Sequence, residues 1–393
     1  MRVAVIADML EEGWTSMDLV AEALMERLPA QDAWPVTAEL VRASFVPVLG
    51  RLAAHRGPPT TADRVFNRFW LYRRALRSLR RRCDVFHIVD HSYAHLACSL
   101  PRGRTIVTCH DIDTFRGFWT SDAIDTGLPR FLVNRLAAGL RSAALVACPS
   151  RATANDLMSA GLAGADRIVV VPNGVERPVA DASAEREASE LLQARDATVD
   201  LLHVGSTIPR KRIDLLLETV ARVARDEPRV RLVRVGTPLT AAQAEQAGGL
   251  GLAGRVLQLP FLSRRTLFAV YRRAALLLMT SDREGFGLPV IEALSQGLPV
   301  VARDLPVFRE VGGEAATYLP ADAGSWASAV AGLLAERDAA AWQARRAAGR
   351  AWSSQFSWDR YAAEMARLYA RAAGWPPPDA RPAAASRFEA CAP

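Results

Sequence analysis

Apolar residues in the N-terminal half come in short continuous runs, with stretches of helical spacing between them. Residues 2–8 (Arg2-Val-Ala-Val-Ile-Ala-Asp8) read as a strand, and within 17–28 the apolar positions Leu19, Val20, Ala23, Leu24 and Leu28 recur at helical steps. Further runs at 84–90, 104–110, 144–150 and 167–171 read as buried strands, most of them separated by helical patterns. Runs apolar on both faces, each followed by a turn and a helix, predict a parallel sheet covered on both sides. After the breaker cluster Pro172-Asn173-Gly174 and a polar Ala/Glu-rich stretch, the alternation restarts. Strands are expected at 199–205, 229–236, 256–261, 276–280 and 299–302, with helices at 213–225, 265–274 and 289–296.

This pattern predicts two doubly wound α/β domains in tandem, whose mutual cleft would face the carboxyl ends of the strands. The expected layout is an N-terminal domain over 1–175, a linker over 176–198 and a second domain over 199–350. A helix over 351–373 would pack back on the first domain, and a disordered tail would occupy 374–393. No sequence repeat is visible beyond the alternation.

Composition narrows the class. Half of the 393 residues are hydrophobic and 23% are charged, enough for two proper cores. No apolar run approaches the roughly 18–20 residues of a membrane span, and Asp8, Glu11 and Glu12 interrupt the first run where a signal peptide would stay apolar. Five scattered cysteines without a C-x-x-C pair fit a reducing cytosol. A soluble cytoplasmic protein is therefore expected. The net charge of +7 is too mild and dispersed to indicate nucleic acid, but suits an anionic small molecule or membrane surface.

Two segments carry candidate chemistry. In Ser281-Asp-Arg-Glu284-Gly285-Phe286-Gly287-Leu288-Pro289-Val-Ile-Glu292-Ala293 a strand ends, a glycine loop follows and a helix opens with Pro289 in its first turn. Glycines let backbone N–H groups approach a ligand, and a helix start offers free donors and the positive end of a dipole, a setting suited to a diphosphate. Glu284 and Glu292 are acceptors fit for sugar hydroxyls. Two glutamates at this spacing also arise as plain surface charges; the Gly-Phe-Gly-Leu-Pro interior after a buried strand is what sets them apart. The second segment, His203-Val-Gly205-Ser206-Thr-Ile-Pro209-Arg210-Lys211-Arg212, stacks three cations at a helix start, against the dipole. A phosphate would compensate them, gripped bidentately by Arg and as a point charge by Lys; a solvated cluster is the plainer alternative.

Together, Glu284-x7-Glu292, Pro209-Arg210-Lys211 after Val204-Gly205, Pro172-Asn173-Gly174-Val175, and Asp304-x-Pro306 through Gly312 resemble a family 4 retaining glycosyltransferase of GT-B fold, two Rossmann-like domains facing across a cleft. The likeness spans roughly 1–370 and is densest over 200–320. It implies a nucleotide-diphosphate-sugar donor with no separate cofactor and no metal. Glu284 would bind donor-sugar hydroxyls, backbone around Gly285, Phe286, Gly287 and Leu288 would contact sugar and phosphate, and Glu292 would hold the ribose. Gly205 and Ser206 line the donor loop, and Lys211 with Arg210 would neutralise the departing diphosphate. The resemblance also places His110 of Thr108-Cys-His110-Asp111 near the transferred sugar and Gly13 in the loop over donor and acceptor. Ser206 stands where many members carry Arg, and Gly13 stands alone where they are glycine-rich.

Other signals are weaker. Gly249-Leu-Gly251-Leu-Ala-Gly254 matches a dinucleotide motif but precedes a strand and opens no helix. His91 and His95 have zinc-like spacing without the Glu or a third ligand, though either could line the acceptor side. The arginine- and aromatic-rich segment 64–82 reads either as a dock for an anionic membrane, near a glycan or lipid-linked acceptor, or as an ordinary helix with a solvated basic face. Competing functions are a non-hydrolysing nucleotide-sugar epimerase and a catalytically silent nucleotide-sugar-binding scaffold.

Overall fold

In a computed structural model the chain divides into two compact units, residues 1–172 with 358–393, and residues 173–357. The structure describes residues 1–31, 34–47, 61–118, 130–176, 179, 181–193 and 198–376. Most of the expected tail, 377–393, lies outside the described residues.

The first unit is built on six parallel strands: β1 (Arg2–Ile6), β2 (Thr37–Val41), β3 (Val85–Ile88), β4 (Thr105–Thr108), β5 (Leu145–Cys148) and β6 (Ile168–Val170). They lie in the order β2-β1-β3-β4-β5-β6, with Val3 beside Val85 and Ile6 beside Ile88. Val3 to Ile6 and Val85 to Ile88 are essentially inaccessible, which is why these strands read as largely apolar runs, broken only by the buried His87. The edge strand β2 was not expected: its residues are only half-buried and include Glu39, so it lacks that signature.

The second unit repeats the plan with β7 (Val199–Val204), β8 (Val230–Val235), β9 (Val256–Leu259), β10 (Leu276–Met279), β11 (Val300–Arg303) and β12 (Ala316–Leu319). Their order is β12-β11-β10-β7-β8-β9, all parallel. The helix Ile213–Asp226 lays Ile213, Leu216, Leu217 and Val220 on this sheet. Each sheet reverses its winding once, between β1 and β3 and between β7 and β10. At such a switch point neighbouring loops leave in opposite directions and open a crevice at the carboxyl ends.

Two parts of the expected layout change. Residues 176–198, read as a linker, contain the helix Ala182–Leu191, which packs on the helix Arg264–Arg273 of the second unit and is tied there by Arg272 and Glu185 at 2.7 Å. Its Ala/Glu-rich composition is that of a surface helix, capped by Asp181. The helix Ala340–Ser353 and residues through 357 stay with the second unit, and the C-terminal helix Trp358–Ala372 belongs to the first. It buries Trp358, Tyr361, Met365 and Tyr369. Among the described residues no helix is long and apolar enough to cross a membrane.

His87 of β3 joins this last helix to the sheet. One ring nitrogen meets the Tyr369 hydroxyl and the other the Thr108 hydroxyl, each at 2.8 Å. Burial, then the neighbouring His110, pushes its pKa down to about 3. The unfolded chain therefore binds a proton near pH 6.5 that the folded one refuses, and stability falls with acidification between about 6.5 and 3. Lowering the pH from 7.5 to 5 should cost about 2 kcal/mol at this residue, and chemical denaturation at the two pH values should show a smaller loss in His87→Gln than in the parent.

Candidate functional site

The loops after β7 and β10, the two strands flanking the second switch point, are laced together. The Asp282 N–H donates to Arg210 O and the Thr280 hydroxyl to Lys211 O, both at 2.8 Å. The Lys211 ammonium reaches Glu284 Oε1 at 2.5 Å, and Arg210 Nη1 donates to Glu284 Oε2 at 3.4 Å and to Arg283 O at 3.0 Å. The Ser281 hydroxyl adds a third donor to the carboxylate at 2.8 Å. Burial pushes the Glu284 carboxyl up, but Lys211, Arg210 and these hydrogen bonds outweigh it and hold it below the usual carboxylate range. It stays ionised at neutral pH, with lone pairs left to accept further hydroxyls.

The three cations at the helix start are therefore met by carboxylates already. Pro209–Lys211 form a separate turn, and Arg212 takes the left-handed conformation (φ 49°) before the helix Ile213–Asp226 begins. Its guanidinium grips Asp214 at 2.7–3.0 Å and Asp282 at 3.3 Å, which offsets a strain of roughly 1–3 kcal/mol. Arg212 is thus tied up structurally, whereas Arg210 and Lys211 share their acid with the loop that carries the glycines.

That loop ends at Gly287, the N-cap of the helix Leu288–Ser295, with Pro289 in its first turn. Gly287 has φ 90°, and a Cβ there would come within 2.9 Å of Phe308. Phe286 turns inward against Phe356, ring centroids 6.0 Å apart, so this segment offers its backbone instead of the ring. Gly285 is buried and Leu288 half-buried. Glu292 lies further along the helix, 4% exposed, accepting from the Tyr271 hydroxyl at 2.9 Å and from Arg264 at 3.1 Å. The two glutamates thus engage separate partner sets. Gly205 (φ 148°) follows β7, and a Cβ on it would lie 3.8 Å from Lys211 Nζ.

His110 and Gly13 belong to the first unit. His110 follows β4, buried, with Nε2 at 2.8 Å from Val89 O. A carbonyl only accepts, so Nε2 carries the hydrogen and Nδ1 presents a lone pair. Burial, ahead of the charges around it, lowers its pKa and keeps it neutral. Gly13 closes the turn Leu10–Glu12 at φ 70°, facing open space. The loop it belongs to is held by Tyr93, whose hydroxyl donates to Glu12 at 3.2 Å, and by Arg68, whose guanidinium lies 5.4 Å from the Trp14 ring and 4.9 Å from the Tyr93 ring. His91 pairs with Asp90 at 3.1 Å, while His95 stacks on Phe69 and meets Arg68 O, so these two histidines serve different neighbours.

Sequence reasoning placed Arg68 among the basic positions of 64–82 and did not single out Asp8 or Arg234 as site residues. Arg68 sits in a widened turn, Asn67–Leu71, that rotates it out of the exposed arginine face and into the protein. Asp8, directly after β1, is buried with neither carboxyl oxygen bonded, and burial followed by Asp90 pushes its pKa up to about 10. A carboxyl immediately after an apolar strand at a switch point was the available signal.

Two family models match the chain: one described as Glycosyltransferase Family 4 over residues 24–177, the other as Glycosyl transferases group 1 over 198–336. The chain belongs to glycosyltransferase family 4. Similar family members include the D-inositol 3-phosphate glycosyltransferases of Geodermatophilus obscurus, 36% identical over 225 residues (53% of this chain, 49% of that protein), and Mycobacterium marinum, 32% over 230 residues (56% and 48%). The chain spans about half the length of these curated relatives. Among solved structures, Anabaena Alr3699/HepE in complex with UDP and glucose (TM-score 0.67, 19% identity) covers 94% of this chain and 99% of its own. WaaG, a glycosyltransferase involved in lipopolysaccharide biosynthesis (TM-score 0.70, 13% identity), covers 94% and 99%. These likenesses give the family 4 chain the GT-B fold, two Rossmann-like units, as the resemblance implied.

The backbone geometry at the family's glycine loop is open to a simple check. Gly287→Ala should destabilise the fold by about 1–3 kcal/mol, from its left-handed backbone and displacement of Phe308. Thermal unfolding should show a lowered Tm; an unchanged Tm would mean that the turn relaxes freely.

Proposed function

We propose that the chain is a retaining glycosyltransferase that moves a sugar from a nucleotide-diphosphate-sugar to a hydroxyl of a glycan or lipid-linked acceptor, without a metal. The observation that carries this reading is the Lys211–Glu284 pair at the switch point of the second sheet, beside Gly205 and the helix start at Gly287. The Lys211 ammonium has three donors and gives one to Glu284, leaving others for phosphate oxygens. Arg210 and the helix start at Leu288 add positive potential where the leaving diphosphate gains charge. Among the described residues no group of three or more His, Cys, Asp or Glu side chains could hold a metal ion.

In this reading Glu284, Gly285, Phe286, Gly287 and Leu288 hold the donor sugar and its phosphates, Gly205 and Ser206 shape the donor loop, and Glu292 orients the ribose. His110, neutral with a free Nδ1 lone pair, accepts a hydrogen bond from a hydroxyl of the transferred sugar, and the Gly13 loop covers the phosphates. The acceptor attacks from the face the diphosphate leaves, its proton passing to the departing phosphate oxygen, so the anomeric configuration is kept. That the solved relative HepE is in complex with UDP and glucose supports the donor class.

Transfer from a panel of nucleotide sugars, followed by product analysis with and without acceptor, tests the reading. Glu284→Ala and Lys211→Ala should each lower kcat by at least about 10²–10³-fold in protein that still unfolds cooperatively. Near-parental turnover in either, or conversion of donor alone into an epimer, contradicts it.

The proposal extends to peripheral contact with an anionic membrane. Arg73, Arg74, Arg77 and Arg80 line an open groove of about 390 Å³ beside Trp70, which is 47% exposed. Among the described residues none of these four arginines pairs with a carboxylate, while Tyr72, Leu76 and Leu79 fill the core beneath. Vesicles of 30% phosphatidylserine should sediment the parent protein, and Arg73→Ala/Arg77→Ala should reduce the bound fraction several-fold. Equal binding by both proteins, or none by the parent, removes this contact.

A further inference from the structure

β8 carries two inward arginines with opposite circumstances. Arg231 has its acid, Asp200, at 2.5 and 3.0 Å. Arg234, fully buried, has none among the described residues. Its Nη2 donates to Gly205 O at 3.1 Å and Ser206 O at 3.5 Å, its Nη1 to Thr237 O at 3.4 Å, and its Nε to His203 Nδ1 at 3.5 Å. Four other cations near these loops face a carboxylate: Lys211 and Arg210 face Glu284, and Arg212 and Arg303 face Asp282. His203 cannot compensate Arg234, because burial, then Arg234 and Lys211, drive its pKa well below the usual value and keep it neutral.

A buried guanidinium bonded only to carbonyls and a neutral imidazole keeps its charge uncompensated in a medium of low dielectric. Fixing turn carbonyls does not need a charge; a neutral donor would do. The charge acts on whatever anion comes to the turn above it, and Gly205 is the residue that both cations reach: Arg234 Nη2 bonds its carbonyl, and Lys211 Nζ lies 3.8 Å from where its Cβ would be.

We propose that Arg234 is a positioning residue for a diphosphate, holding the Gly205–Ser206 turn from beneath and supplying a second buried positive charge that makes the site favour a diphosphate over a monophosphate. This rests on the donor-site reading above. Arg234 does not touch the ligand; it acts through the turn and through its field. Titration calorimetry of a nucleoside, its monophosphate and its diphosphate against the parent, Arg234→Gln and Arg234→Lys separates charge from hydrogen bonding.

The parent should prefer diphosphate over monophosphate. Arg234→Gln should lose about tenfold of that preference while nucleoside affinity stays within about twofold, and Arg234→Lys should keep most of it. An unchanged preference in Arg234→Gln, or equal weakening of all three ligands, overturns the inference. If Arg234→Gln does not fold, loss of the preference in folded Arg234→Lys overturns it as well, and its retention there, with a diphosphate affinity that still falls with salt, supports it. A parent that binds diphosphate no better than nucleoside instead brings down the donor-site reading itself, an outcome visible before any variant is compared.

Discussion

An ionised carboxylate only 9% exposed is expensive to bury alone, and Glu284 is tolerable because Lys211, Arg210 and Ser281 surround it. The same contacts join two loops that the sequence separates by some seventy residues, so the electrostatic requirement and the loop geometry are one constraint. The winding reversal between β7 and β10 brings those loops together, and the Thr280 and Asp282 hydrogen bonds fix their backbones before the charges meet. Gly287 then lets the helix Leu288–Ser295 begin where its free N–H groups adjoin the cations. Each component needs the others: cations without Glu284 would repel, and Glu284 without them would be driven toward protonation.

The first unit gathers polar groups at its own switch point. Asp8 follows β1, Asp90 follows β3 and caps the turn His91–Ser99, and Arg68 bonds Ser92 O through Nε at 2.8 Å. Asp8 and Asp90 face each other, and burial with Asp90's charge keeps Asp8 protonated, while His91 and the Ser92 hydrogen bonds keep Asp90 ionised against burial. The Tyr93 and Arg68 contacts carry this order into the Gly13 loop. The strands thus end, in both units, on buried titratable residues that set one another's protonation state.

The central strands were legible because burial on both faces keeps them mostly apolar; β3, β4, β5, β7 and β10 each fall inside the run expected for them. The half-buried edges β2 and β12 carry no such run and escaped notice. The glycine loop and the Pro209–Lys211 cations were legible as chemistry, but their pairing with Glu284 was not, since nothing local says which loop meets which. Arg234 was hidden for another reason: a basic residue inside an apolar strand reads as a surface position until the neighbouring strand's turn is seen above it. Residues 176–198 misled in the opposite sense, a polar helix resembling a linker because its only buried positions are Ala184 and Ala188.

A diphosphate bound where the β7 and β10 loops are laced together would shield both loops at once. Hydrogen–deuterium exchange with and without uridine, adenosine or guanosine diphosphate locates it directly. Amides of residues 203–213 and 280–290 should slow together with one of these nucleotides. Protection confined to other segments, or none with any of the three, would contradict binding there.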